Sequence, residues 1–224
     1  MNIHTGVLIG RFQPVHQGHL FVIEQALKHC DQLVIMLGSS YRANTIKNPF
    51  NTPERIALLR DHFAPEWQAR IHIEPLEDTM YDEPSWIQSI RQAVNARAQG
   101  KNIAVIGHDK DPSTYYLKHF PDWELIELGN YQNLDATLIR KAWFSARSVQ
   151  AIDTIPGLTE VSRAFLTAQF GNERYQRLKE EFEFIQAYKT QWAHTPYPVL
   201  FNTTDALYRD WETDRKSTRL NSSH

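Results

Sequence analysis

Apolar residues fall into short runs and helical stripes that alternate as far as about residue 134. Residues 3–9 (IHTGVLI) read as a short apolar strand, and residues 32–37 (QLVIML) as a second, apolar enough to be buried on both faces. Between them, residues 19–29 carry Leu20, Ile23, Ala26 and Leu27 at helical spacing. Asn51-Thr52-Pro53-Glu54 opens another helix with a capping side chain, a proline in the first turn and an early carboxylate. That helix carries Ile56, Leu58, Leu59 and Phe63. A third strand is predicted at 70–75, a third helix at 84–99 and a fourth strand at 102–106, followed by a helix at 113–119 and a strand at 123–128. This alternation predicts an α/β fold of right-handed βαβ units with a doubly wound parallel sheet. Such a sheet binds its ligand beyond the carboxyl ends of its strands, where the strand order reverses. The loops after strands one and four are therefore where chemistry is expected.

After residue 134 the pattern turns mostly helical, with helices predicted at 136–145, 159–169 and 172–192. The last has Tyr175, Leu178, Phe182, Ile185 and Tyr188 on one stripe, which reads as core-facing. Residues 194–198 form a proline-rich linker, and 199–207 read as the first strand of another domain. The final eleven residues, DRKSTRLNSSH, share no periodicity with what precedes them. They match an in-frame translation of a short-read sequencing adapter, in which GATCGGAAGAGC opens as Asp-Arg-Lys-Ser. The expected organisation is one domain over 1–192, a linker and first strand over 193–213, and a non-native tail over 214–224.

Charge and cysteine content narrow the function classes. The 224 residues include 24 basic and 26 acidic ones, a net charge of -2, which becomes -4 without the tail. That balance argues against a nucleic-acid binder with a broad basic surface, and leaves room for a local phosphate site. The single cysteine, Cys30, excludes an internal disulfide framework and a Cys-rich zinc site. No apolar run approaches the ~18 residues of a membrane span, and no signal-peptide pattern opens the chain. A soluble, cytoplasmic protein is expected, with no nucleic-acid or membrane partner; a homo-oligomer is left open.

The richest stretch is Gly10-Arg11-Phe12-Gln13-Pro14-Val15-His16-Gln17-Gly18-His19. Two histidines three apart at a helix start project from neighbouring positions of one face. The helix N-terminus beside them offers unpaired N–H groups and a positive dipole end, an anion site. Gly10 and Gly18 remove Cβ atoms where backbone must approach a ligand, and Arg11 adds a planar cation suited to phosphate. No carboxylate or cysteine nearby completes a metal set around His16 and His19, so no protein-held metal is expected. The turn lacks the Gly-Lys-Ser/Thr of a Walker A loop and the spacing of G-x-G-x-x-G. The set points to a polyphosphate.

These residues resemble the nucleotidylyltransferase superfamily, whose signature is a His/Thr-x-Gly-His turn after strand one. More narrowly, GRFQPVHQGHL is similar to the nicotinamide-mononucleotide (NMN) adenylyltransferases of the archaeal and bacterial bifunctional type. Further blocks carry the same resemblance: Gly38-Ser39-Ser40 with Thr45 to Arg55, Asp82 to Arg91 with Trp86, Gly107 to Asp111 with Ser113 to Tyr116, and Ala136-Thr137-Leu138-Ile139-Arg140. In the last block Asp135 and Ala136 replace the usual Ile and Ser, while Thr137 and Arg140 match. Similarity spans about residues 1–190. Residues 197–207 resemble the first strand of the Nudix domain that follows in the bifunctional branch; the Nudix box itself is absent.

The resemblance implies a Rossmann-like nucleotidylyltransferase fold and the reaction of ATP with NMN to give NAD and pyrophosphate, with Mg²⁺ accompanying ATP. It implies that His16, His19, Arg11 and Arg140 act on the transferred phosphoryl. ATP would further be met by Gly10, Phe12, Gly18, Lys47, Gly107, Asp109, Thr137 and Ile139, and NMN by Ser39, Asn48, Phe50 and Trp86. Two rivals stand beside this reading: a sister enzyme acting on nicotinate mononucleotide, phosphopantetheine or flavin mononucleotide, and a non-catalytic nucleotide-sensing module. Asn48-Pro49-Phe50 and Trp86 favour NMN, and the intact His16, Gly18, His19 and Arg140 weigh against a sensor.

Overall fold

The computed structural model describes residues 3–79, 82–98, 101–107, 119–129, 131 and 134–191. The segment expected to be helical at 113–119, its last residue apart, and everything expected beyond 192 lie outside the described residues. In chain order the elements are β1 (Ile3–Gly10), α1 (Gln17–His29), β2 (Cys30–Leu37), α2 (Thr52–Arg60), α3 (Pro65–Gln68), β3 (Ile71–Pro75), α4 (Glu83–Ala98), β4 (Ile103–Gly107) and β5 (Glu124–Glu127). Four helices follow: α5 (Ala136–Ser145), α6 (Gln150–Asp153), α7 (Glu160–Gln169) and α8 (Glu173–Gln191). Among the described residues no helix is long and apolar enough to cross a membrane.

All four strand pairings are parallel, in the order β3-β2-β1-β4-β5. The inner strands are apolar on both faces because both faces are covered. Leu8, Ile35 and Ile106 meet Ile23 and Leu27 of α1 and Leu58 and Leu59 of α2. Their neighbours Val7, Val34 and Val105 point the other way, onto Ile90 and Val94 of α4. The chain moves outward from β1 through β2 to β3, then returns to place β4 on the free side of β1. The order thus reverses between β1 and β4, and the crevice opens beyond Gly10 and Gly107.

Boundaries shift where caps decide them. Helix α1 begins at Gln17, two residues before its apolar stripe, because His16 takes the N-cap in extended conformation. Helix α2 starts as expected: Asn51 Oδ1 accepts the Glu54 N–H at 2.9 Å, and Glu54 Oε2 accepts the Asn51 N–H at 2.9 Å. The same Glu54 carboxylate takes a two-pronged bond from Arg174 of α8 at 2.7 and 2.9 Å. This ties the C-terminal helices to the start of α2. A third core forms there, with Ile139, Trp143 and Phe144 of α5 packed on Leu166, Tyr175, Leu178 and Phe182. Burial pushes the Tyr175 phenol up to about 12.

Candidate active site

The first turn after β1 folds back on itself. Phe12 has φ 53 and its ring is fully buried. A Cβ on Gly10 would sit 2.8 Å from that ring, so glycine is what lets the turn close. Phe12 leans on His19 (ring centroids 4.6 Å), and His19 stacks on His16 (3.7 Å, 28° between planes). A Cβ on Gly18 would come within 3.0 Å of His16 Cε1. The three rings and two glycines therefore form one packed unit at the N-terminus of α1. His19 Nδ1 accepts the His16 backbone N–H at 3.3 Å, so a neutral His19 carries its proton on Nε2 and is a donor there.

Helix α5 supplies the facing wall. Asp135 caps it, with Oδ1 accepting the Thr137 N–H at 2.6 Å. The departure from Ile at 135 therefore gives α5 a strong cap. One turn later Arg140 lies buried, donating from Nη2 to Thr137 Oγ1 (3.2 Å) and from Nη1 to the Gln13 carbonyl (2.7 Å). Gln13 is itself buried and bonds Phe50 twice: Nε2 donates to the Phe50 carbonyl at 2.9 Å, and Oε1 accepts the Phe50 N–H at 3.0 Å. From below, Ser162 Oγ donates to the Val15 carbonyl at 2.8 Å, and Gln17 N–H to that of Gly157 at 2.9 Å. The turn is fastened on three sides by buried polar bonds, which are costly to break.

A cleft of about 550 Å³ opens between these walls. Of the sequence-predicted residues it gathers Arg11, Phe12, His16, Gly18, His19, Gly107, Thr137 and Arg140. Among the described residues, two arginines and the start of α1 face a single lining carboxylate, Asp135, already bonded to the Thr137 N–H. Arg11 Nη1 is buried with no hydrogen-bond partner among the described residues, a donor open to a ligand. In a protein of negative net charge, this cleft is locally positive.

The other predicted residues among those described do not line it. Gly10 closes β1 beneath Phe12. Ile139 and Phe50 are core residues; Phe50 packs on Trp143 (5.4 Å) and Phe165 (4.9 Å). Ser39, at φ 51, donates from Oγ to Asp78 Oδ2 (2.7 Å) and from its N–H to Oδ1 (3.2 Å). Asn48 donates its N–H to Thr45 Oγ1 at 3.1 Å, and Lys47 beside it is half-buried. Trp86 is half-buried and leans on the core formed by Val7, Val34, Met36 and Ile90. Asp109 lies outside the described residues.

Two residues at the site carried no expectation. Gln13 has no sequence signal, since a neutral amide in a turn reads as solvated. Arg55 had one: it shares the buried stripe of α2 with Leu58 and Leu59, where a cation is out of place. Its guanidinium donates to the carbonyls of Arg11 (2.8 Å), Gly38 (2.8 Å) and Ser39 (3.1 Å). Burial brings its pKa down to about 10.

Known proteins resemble this chain in sequence and fold. A family model described as cytidylyltransferase-like matches residues 7–142. A nicotinamide/nicotinic acid mononucleotide adenylyltransferase from Acinetobacter baylyi is 35% identical over 178 residues, covering 79% of this chain and 92% of that protein. A nicotinamide-nucleotide adenylyltransferase from Saccharolobus solfataricus is 40% identical over 77 residues, 34% of this chain and 45% of its own length. The crystal structure of a bifunctional NMN adenylyltransferase/ADP ribose pyrophosphatase from Francisella tularensis, complexed with AMP and a manganese ion, superimposes with a TM-score of 0.76 at 32% identity. That match takes in 89% of this chain and 58% of the Francisella chain. On its sequence, its sheet order and its first βα turn, the chain belongs to the cytidylyltransferase-like family, in the group of the nicotinamide/nicotinic acid mononucleotide adenylyltransferases.

Proposed function

We propose that the protein transfers the adenylyl group of ATP to nicotinamide mononucleotide, forming NAD and pyrophosphate in a step of NAD biosynthesis. The observation that carries this is the convergence of Arg11, His19, Thr137 and Arg140 with the N-terminus of α1 on one cleft at the reversal of strand order. A 5′-phosphate oxygen of the mononucleotide forms a bond to the α-phosphorus of ATP, and the bond from that phosphorus to the α,β-bridging oxygen breaks. Its electron pair leaves with pyrophosphate. A phosphate monoester is largely dianionic near pH 7, so the nucleophile needs no general base. The protein's task is to align two mutually repelling anions and to stabilise charge as it moves. In this reading Arg11 and Arg140 hold phosphate oxygens, and His19 Nε2 donates to the transferred phosphoryl. His16 keeps His19 in place by stacking.

Among the described residues the cleft offers donors and one carboxylate, Asp135, which already accepts the Thr137 N–H. In this reading a divalent cation, Mg²⁺, would come with ATP and would supply charge neutralisation, in line with the manganese ion beside AMP in the Francisella structure. On the acceptor side we assign Ser39, Lys47, Asn48 and Trp86 to the mononucleotide, with Trp86 stacking on its flat cationic ring. Cytoplasmic location is part of the same reading.

The test is to incubate the full chain with ATP, MgCl₂ and either nicotinamide or nicotinate mononucleotide, and to measure dinucleotide and pyrophosphate together. Equal yields of NAD and pyrophosphate are expected. Pyrophosphate release with another acceptor alone would point to a sister enzyme. ATP binding without turnover would leave a sensor.

A further inference from the structure

Among the described residues, Arg55 is the one charged side chain in the set of largest fully buried ones. Its hydrogen bonds among the described residues all go to backbone carbonyls. Taking a guanidinium out of water is expensive, and three neutral acceptors offset that only in part. The like charge of Arg11 opposes it further, and Asp78 is the opposing charge that favours it. A methionine of similar length would fill this space without that cost, so the charge and the fork need a reason.

The carbonyls it holds supply one. The Gly38 N–H donates to the Gly10 carbonyl at 2.9 Å at the carboxyl ends of β1 and β2. The next carbonyl on the β1 side, Arg11, and that of Gly38 both bond Arg55 Nη1. Each immediately precedes a non-glycine residue in the left-handed region, Phe12 (φ 53) and Ser39 (φ 51). Such conformations are strained for a residue with a side chain and persist only where the surroundings over-determine them. One guanidinium pins the peptide plane before both, and the Ser39 carbonyl as well.

We propose that Arg55 is a positioning residue for adenylyl transfer: through the carbonyls of Arg11, Gly38 and Ser39 it sets the two left-handed turns from which Arg11 reaches the donor phosphates and Ser39 the acceptor. This rests on the reaction proposed above. A displacement of about 1 Å at reacting groups costs on the order of 100-fold in rate, which sets the size of the effect.

The experiment compares R55M, R55K, R11A and R11A/R55M in the full chain, by kcat and KM and by the phosphorus NMR spectrum of bound ATP. R55M should lose on the order of 100-fold in kcat per folded molecule, with the KM for ATP changed far less. R55K keeps the charge but not the fork, and should recover only a small part of that loss. In the R11A background R55M should cost much less than alone, because its effect runs through Arg11. The α-phosphorus resonance of ATP bound to R55M should move toward that seen in R11A. Near wild-type kcat in folded R55M, or fully additive losses, would overturn the proposal. Should R55M fail to fold, R55K decides: wild-type kcat and an unmoved resonance would contradict the role. Should the wild type bind ATP yet make no dinucleotide, the function falls, and the phosphorus resonance alone decides for or against Arg55.

Discussion

On the donor side of the crevice, residues from one turn and one helix converge on a single cleft: Arg11, His16, Gly18 and His19 across from Thr137 and Arg140. On the proposed acceptor side, Ser39, Lys47, Asn48 and Trp86 come from three separate segments, and none of them lines that cleft. In the proposed reading the donor side recognises phosphate, which is a matter of backbone geometry: a helix start, two glycines and the end of a strand. The acceptor side must recognise a base and a sugar, which takes side chains from distant elements. Those segments are joined to the donor turn by buried polar ties instead, Gln13 to Phe50 and Arg55 to Gly38 and Ser39. The donor half is local architecture; the acceptor half depends on couplings.

If that contrast holds, damage on the donor side should fall on the chemical step. His19→Ala should lower kcat by about 10²–10³-fold, the usual cost of one preorganised donor, with little change in ATP affinity. Steady-state kinetics with ATP calorimetry would show it; full turnover with poor ATP binding would make His19 a ground-state ligand.

Damage to a coupling should fall on stability and on both substrates. Gln13→Leu leaves the buried N–H and carbonyl of Phe50 unpaired, each costing about 1–3 kcal/mol. Urea denaturation should show a loss of about 2–6 kcal/mol, with both KM values raised. An unchanged midpoint would mean that Phe50 finds other partners and that the halves are joined elsewhere.

Damage to the acceptor side alone should be smaller and selective. Trp86→Ala removes a stacking contact of ~0.5–2 kcal/mol and should raise the KM for NMN by about 2–30-fold, leaving that for ATP in place. Because Trp86 also leans on the core, a drop in melting temperature with both KM values unmoved would reassign it to packing.

How far the sequence reveals each half follows the same division. Strands 3–9, 32–37 and 102–106 were legible because strands covered on both faces are short apolar runs, and edge strand 70–75 because Ile71 and Ile73 alternate with polar residues. The donor turn was legible because its chemistry is concentrated in ten consecutive residues. Phe50 was expected to meet NMN; that its ring fills the core beneath α5 was not legible, because Asn-Pro-Phe reads as a loop. Gln13 could not be read, since its partners are backbone atoms 37 residues away. Arg55 could have been, from its place on an apolar stripe. The short helices α3 and α6 were missed because four residues carry no periodicity.

A weaker effect lies behind the donor turn. His62 links α2 to α7: its Nδ1 meets the Leu58 carbonyl and its Nε2 the Thr159 hydroxyl at 2.7 Å. Burial holds its pKa below the usual histidine value, against the opposing pull of the Leu58 carbonyl and Asp61. As pH falls below about 6.5 the unfolded chain takes up a proton that the folded one resists, so stability declines with acidity in that window. His62→Gln should flatten that part of the curve of denaturation midpoint against pH. A slope unchanged by the substitution would locate it in other groups.

The central claim is that the protein aligns two phosphates and supplies no nucleophile of its own. The stereochemical course at the α-phosphorus tests this most directly, using one diastereomer of ATP with sulfur on that phosphorus and NMN as acceptor. A single in-line displacement inverts the centre, and inversion is the result expected. Retention would require two displacements through an adenylyl-enzyme, with His16 or His19 as its bearer, and would contradict the account.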